Sequence, residues 1–207
     1  MKYSINEIFY SIQGEGMNAG RPAIFVRFSG CNLKCVLAEQ GFDCDTNFER
    51  GSLMTLESIE DAAWREFGGQ PGSDPAWPNG LLMVLTGGEP SLQLDRHFLS
   101  YFQSRGFEVA IETNGTRPLP EGLNWICVSP KRGTEIVVRF ADEVKYVLAA
   151  GQEPWNVPNL GSTWQLISPA FKGLQPDDEA IKWCLEYVKR NPQYRLSIQL
   201  HKIIGVR

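Results

Sequence analysis

Short apolar runs punctuate the chain: AIFVRF (Ala23–Phe28), LLMVLT (Leu81–Thr86), VAIET (Val109–Thr113), WICVS (Trp125–Ser129), VKYVL (Val144–Leu148), TWQLIS (Thr163–Ser168) and LSIQL (Leu196–Leu200). Most are nearly continuous rather than alternating, and they are rich in β-branched and aromatic residues. Strands buried on both faces of a parallel sheet read this way, so each run predicts a strand. Helical patterns lie between several of them. LESIEDAAWREF closes at Gly68–Gly69, and DRHFLSYFQSR sets Phe98, Tyr101 and Phe102 at helical spacing and stops at Gly106. DDEAIKWCLEYVKR spaces Ile181, Cys184, Leu185 and Val188 as an apolar stripe, with acidic residues in its first turn and Lys/Arg in its last. The Pro- and Gly-rich stretch Gln70–Asn79 predicts a surface loop.

Alternating strands and helices imply a parallel α/β architecture. The segment Gly115–Pro169 has strands but little room for helices. An incomplete β/α barrel is therefore expected, a single domain over residues 1–207 with reduced helices in its second half. In such sheets the active site lies at the C-terminal strand ends. The polar and Gly-rich signals fall there: SGC after Phe28, TGGEP after Leu85, ETNG after Ile111, SPK after Val128 and HK after Leu200.

Composition adds exclusions. The 207 residues are 43% hydrophobic and 21% charged with net charge −4, which suits a globular chain. Lys and Arg form no extended run, so no nucleic-acid surface is indicated. No apolar run approaches a membrane span, and the N-terminus lacks a signal-peptide core. A soluble, cytoplasmic protein is expected. In a reducing compartment the five cysteines do not read as disulfides, and their number is odd.

Cys31, Cys35 and Cys44 fall in one polar loop, residues 29–48, as C-x3-C-x8-C. Buried small hydrophobes do not cluster in this way. Zinc wants four N/S ligands, and neither His97 nor His201 is nearby in sequence, although a fold could deliver one. An iron–sulfur cluster held by three thiolates would keep one iron open, as catalytic metal centres do. Cys127, in a strand run, and Cys184, on a helical stripe, read as core.

A three-cysteine loop after the first parallel strand, followed by a strand ending in TGGEP, resembles the radical S-adenosylmethionine (SAM) enzymes. The combination EIFYSIQGEGMNAGRPAIFVRFSGCNL, CDTNF, TGGEPSLQL, IETNGT, WICVSPK, EVKYV and RLSIQLHKIIGVR is similar to the 7-carboxy-7-deazaguanine synthases of the queuosine and deazapurine pathway, over essentially the whole chain. The usual radical SAM spacing is C-x3-C-x2-C. Here residue 38 is Ala, so Val36–Asp43 must loop out while Cys44 still reaches the cluster.

The resemblance implies a partial radical SAM barrel and a set of roles. Cys31, Cys35 and Cys44 would hold a [4Fe–4S] cluster, with SAM on the fourth iron. Thr46 would bind Mg²⁺ together with substrate oxygens. SAM contacts would come from Asp43 and Asp45, from Gly88 and Glu89, and from Glu112 and Asn114, which alternate on one strand and so share a face. They would also come from Ser129, Pro130 and Lys131, and from Ser168, Pro169, Ala170 and Phe171, which stand where relatives carry Gln-Pro. The substrate, 6-carboxy-5,6,7,8-tetrahydropterin, would meet Ile12, Gln13, Gly14 and Glu15 at its amide and amino edge. Arg27 would grip its carboxylate, with Thr86, His201 (from a strand end) and Arg207 completing the pocket.

The implied activity is that of a carbon–nitrogen lyase. Electron transfer from a flavodoxin or ferredoxin cleaves SAM to a 5′-deoxyadenosyl radical, which takes hydrogen from C6 of the pterin. Ring contraction, return of hydrogen to SAM and loss of ammonia then give 7-carboxy-7-deazaguanine. The family is commonly homodimeric. The alternatives are a glycyl-radical-activating enzyme, which needs an open groove for a polypeptide, and a zinc-binding interaction domain without catalysis.

Overall fold

The computed structural model describes residues 1–44, 48–172 and 175–206. Asp45, Thr46 and Arg207 therefore lie outside the described residues.

The chain runs β1 (Tyr3–Ile12), β2 (Pro22–Phe28), α1 (Leu37–Gln40), β3 (Ser52–Met54), α2 (Leu56–Phe67), β4 (Leu82–Gly87), α3 (Arg96–Gln103), β5 (Glu108–Thr113), β6 (Trp125–Val128), β7 (Phe140–Leu148), β8 (Gly161–Pro169), β9 (Phe171–Lys172), β10 (Gln175–Pro176), α4 (Asp178–Arg190), β11 (Tyr194–Leu196) and α5 (Leu200–Ile204). Among the described residues, nine strands form one sheet in the order β11-β8-β7-β6-β5-β4-β2-β1-β3. Within this sheet every pairing from β2 across to β11 is parallel, β1 pairs antiparallel with β2 and β3, and β9 and β10 form a separate antiparallel pair. The sheet does not close on itself. The expected incomplete barrel is present, and 115–169 carries no helix among its residues.

Helix ends follow their capping residues. Thr55 accepts from Ser58 N–H and Gly68, at φ 99°, ends α2. Asp95 accepts from Phe98 N–H at the start of α3, and Asp177 from Glu179 and Ala180 N–H at α4. α2 and α3 cover the outer face of the first half, where Ile59, Phe98 and Phe102 pack on Val26, Phe28, Leu85 and Ile111. Glu60 is buried in this layer and accepts from Tyr101 Oη (2.7 Å), Arg105 Nε (2.6 Å) and Trp77 Nε1 (3.2 Å), which offsets the cost of removing its charge from water. Over the second half a loop containing Trp155, Val157 and Leu160 packs with α4 where full barrels carry helices.

Two expectations are corrected. LSIQL is not a strand: β11 ends at Leu196, with Ser197 N–H on Ile167 O as the last bond to β8, and Leu200 N–H then donates to Gly14 O as α5 begins. His201 therefore stands in the first turn of a helix rather than at a strand end. Leu185 is 43% exposed and leaves the buried stripe of α4, which is formed by Ala180 and Cys184 with Tyr187 and Val188 half-buried. Helical spacing places residues on a face but does not say how wide a face the neighbours cover.

Candidate active site

The inner face of the sheet changes character along its strands. At the N-terminal ends it is apolar: Ala23, Phe25, Leu82, Val84 and Ala110 pack with Phe9 and Trp125. Two residues further along each strand, on the same face, come Arg27, Thr86 and Glu112. The apolar floor excludes water, and the polar upper layer opens into a cavity of about 660 Å³. Phe9 stacks on Phe25 with centroids 4.8 Å apart and planes 5° apart, and the Arg27 guanidinium lies 5.3 Å from the Phe9 ring centre.

Cys31, Cys35 and Cys44 all face this cavity. Leu33 N–H donates to Cys31 Sγ at 3.4 Å, and Cys44 N–H to Cys35 O at 3.3 Å. Burial pushes the Cys31 and Cys35 thiols up. Burial pushes the Lys131 ammonium down, against the pull of the nearby Cys35 thiol, and Lys131 donates to Ser129 Oγ at 2.8 Å. The inserted loop contains α1, whose Gln40 is 5% exposed. Gln40 accepts from Arg132 N–H (2.9 Å) and donates to Arg132 O (3.2 Å), while Gln152 donates to Gln40 O (3.2 Å).

Glycines set the approach opposite the thiols. A Cβ on Gly88 would stand 2.0 Å from the Gly30 carbonyl oxygen, so only glycine fits there. Gly87 has φ 106°, the left-handed region glycine favours. Glu89 is 1% exposed. One of its carboxylate oxygens accepts from Ser91 N–H and Oγ and from Thr113 Oγ1, the other from Asn114 N–H. It lines the cavity while shaping the turn.

The far wall is charged. Thr86 Oγ1 (3.1 Å) and Gln13 Nε2 (3.0 Å) donate to the two oxygens of Glu112. Gln13 Oε1 accepts from Glu15 N–H at 3.0 Å. Glu15 accepts from Gln199 Nε2 at 2.6 Å and forms a buried ion pair with Lys145. Burial opposes charge on Glu15, but Lys145 and Gln199 hold the carboxyl below its usual range. Lys145 is likewise opposed by burial yet held up by Glu112 and Glu15. Burial pushes the His201 imidazole down, against the pull of Glu15.

The cavity thus gathers the assigned Ile12, Gln13, Glu15, Arg27, Thr86 and His201 on one side. With the thiols it gathers Asp43, Gly88, Glu89 and Asn114, and also Ser129, Lys131, Ser168, Pro169 and Phe171, whereas Glu112, expected on SAM, is hydrogen-bonded to Gln13 and Thr86 on the far wall. Gly14, Pro130 and Ala170 are not among its lining residues. A Cβ on Gly14 would press on His201 Nδ1 at 2.2 Å, so this glycine acts from behind the histidine. Lys145, Gln199 and the Phe9–Phe25 floor went unnoticed in the sequence. For Lys145 a signal existed: Glu143, Lys145 and Val147 share one face of a strand whose second half, Val144–Leu148, is otherwise apolar or aromatic, and a lysine there needs a partner.

The donor set fits an iron–sulfur cluster with one open iron, since the cavity receives three thiols and a glycine turn. Among the described residues no three His, Cys, Asp or Glu side chains converge on a single ion. No helix among them is long and apolar enough to cross a membrane.

No protein-family model matches the chain. It is 41% identical over 210 residues to the 7-carboxy-7-deazaguanine synthase of Bacteroides thetaiotaomicron and 40% identical over 220 residues to that of Nitratidesulfovibrio vulgaris, each covering 100% of both chains. The crystal structure of QueE from Escherichia coli superposes with a TM-score of 0.69 at 25% identity, covering 97% of this chain and 95% of that one. The cavity's cysteines, glycine turn and charged wall therefore sit in a chain that matches these enzymes from end to end, and it belongs to the 7-carboxy-7-deazaguanine synthase family.

Proposed function

We propose that this chain converts 6-carboxy-5,6,7,8-tetrahydropterin to 7-carboxy-7-deazaguanine with loss of ammonia, as a cytoplasmic carbon–nitrogen lyase. The observation that carries the reading is one cavity with three thiols on one side and Arg27, Gln13, Glu15 and Glu112 on the other. Full-length identity to synthases of this name leaves no ground for the activase or zinc-domain alternatives.

When bound, a [4Fe–4S] cluster with SAM on its open iron supplies a 5′-deoxyadenosyl radical. Cys31, Cys35 and Cys44 would hold the cluster, and Gly88, Ser129 and Lys131 would flank SAM. Arg27 would take the pterin carboxylate, and Glu112, Gln13 and Glu15 its amide and amino edge. Phe9 and Phe25 keep water from the floor, which protects radical chemistry. The chain's contribution is placement: the reacting carbon must lie in contact range of the hydrogen-abstracting group. Mg²⁺ at Thr46, a flavodoxin or ferredoxin as electron donor, and a homodimer belong to the same reading.

The test is anaerobic reconstitution with iron and sulfide, then incubation with SAM, reductant, Mg²⁺ and the pterin, read by mass spectrometry. The expected result is 7-carboxy-7-deazaguanine, lost in Cys44→Ala together with cluster absorbance. SAM cleavage with the pterin left intact would overturn the substrate assignment.

A further inference from the structure

Lys145 is 6% exposed and lines the cavity from β7. It is paired with Glu15 and lies in the field of Glu112. Glu15 and Glu112 come from the loop after β1 and from β5, and the two functions of the Gln13 side-chain amide join them. Each carboxylate holds its neighbours while keeping lone pairs to spare, because one oxygen accepts more than one hydrogen bond. The other ionisable groups around this wall are Glu143, Cys127, His201 and Lys131, with Arg27 and Lys202 further along the cavity lining. Burial favours the neutral forms of Glu143, which accepts from Met17 N–H at 2.8 Å, and of Cys127. Burial also pushes His201 and Lys131 toward their neutral forms. Lys145 is thus the cation paired directly with Glu15 on this wall, with Glu112 hydrogen-bonded to Gln13 beside the pair.

We propose that Lys145 is a positioning residue for the substrate: through its ion pair it holds Glu15 as a charged acceptor beside Glu112, so that this wall selects a heterocycle edge made of N–H donors, such as an aminopyrimidinone, over one that presents acceptors. The proposal rests on the pterin reading above and adds a residue and a selection rule to it. Without the ammonium, a buried carboxyl regains its proton, becomes a donor, and repels the edge it should bind.

The experiment compares reconstituted wild type, Lys145→Met and Lys145→Arg for the pterin KM across pH, with SAM cleavage in the absence of pterin as the control for an intact cluster and fold. Lys145→Met is expected to raise the pterin KM by roughly 30-fold or more. It should leave pterin-independent SAM cleavage within about twofold of wild type. The defect should grow as pH falls, since the uncompensated Glu15 carboxyl now titrates at higher pH, and Lys145→Arg should restore most of the affinity. A pterin KM within about threefold of wild type with an unchanged pH profile overturns the proposal. So does a parallel loss of SAM cleavage in both variants, which marks a merely structural lysine. A wild type that cleaves SAM but neither binds nor converts the pterin overturns the parent reading instead, and this proposal with it.

Discussion

Glu15, in the loop after β1, forms a buried ion pair with Lys145 on β7, although four strands (β2, β4, β5 and β6) separate β1 from β7 in the sheet. The sheet is open, so side chains and loop backbone close the barrel where strand pairing does not. Met17 N–H on Glu143, Gly16 N–H on Ser197 Oγ (2.9 Å) and Leu200 N–H on Gly14 O (3.0 Å) belong to the same seam.

The seam should carry a pH signature. Lys145 and Gln199 depress the Glu15 carboxyl below its reference value of 4.5 in spite of burial. A depressed carboxyl contributes its stability fully above the unfolded value and loses it as pH falls through the folded one. Urea unfolding should show wild-type stability falling below about pH 4.5, with a shallower fall in Glu15→Gln. At neutral pH that substitution should cost about 3 kcal/mol, because Lys145 loses a buried partner.

The inserted loop should depend on Gln40. Its amide makes a two-point clasp on the Arg132 backbone, next to Lys131 and within the segment that carries Cys35 and Cys44. Gln40→Ala removes both bonds and leaves the half-buried Arg132 backbone groups without them, at about 1 kcal/mol each. Iron content after reconstitution should fall, and cluster absorbance should decay faster in air than in wild type. Unchanged iron and decay would mean that the loop is ordered by other contacts.

A methyl group at Gly14 has nowhere to go. It would meet His201 Nδ1 at 2.2 Å and His201 backbone N at 2.9 Å, so the start of α5 must shift. Gly14→Ala should raise the pterin KM by roughly tenfold while leaving SAM cleavage intact. Steady-state kinetics on both reactions checks this.

Glu89 should matter for stability before chemistry. Removing its carboxylate orphans the buried Thr113 hydroxyl and Asn114 N–H. Glu89→Ala is expected to destabilise by about 3–4 kcal/mol and to lower Tm by about 10 °C, as thermal unfolding of the unreconstituted chain would show.

The parallel strands were legible because burial on both faces leaves continuous apolar runs, and the helices because their stripes and caps agree. β1 was missed: YSINEIFYSI mixes polar and apolar positions, as suits a strand with its C-terminal half at the sheet edge. LSIQL read as a strand because it alternates, but its pairing with β8 stops at Leu196, and Leu200 N–H donates to Gly14 O and Ile198 O as α5 begins. The thiols, the glycine turn and Arg27 were visible as motifs. Lys145 and Gln199 were not, because their role exists only once elements 130 and 184 residues from Glu15 meet it.

That separation also orders the assembly of the molecule. From β2 to β8 each strand pairs with the next parallel strand in the chain, so most of the sheet grows by short steps. The seam instead joins residues 14–17 to residues 143–145 and 197–200, where loop closure is entropically dearest. The wall formed by Glu15, Lys145 and Gln199 is thus expected to form after the sheet, because it needs contacts across 130 and 184 residues of chain.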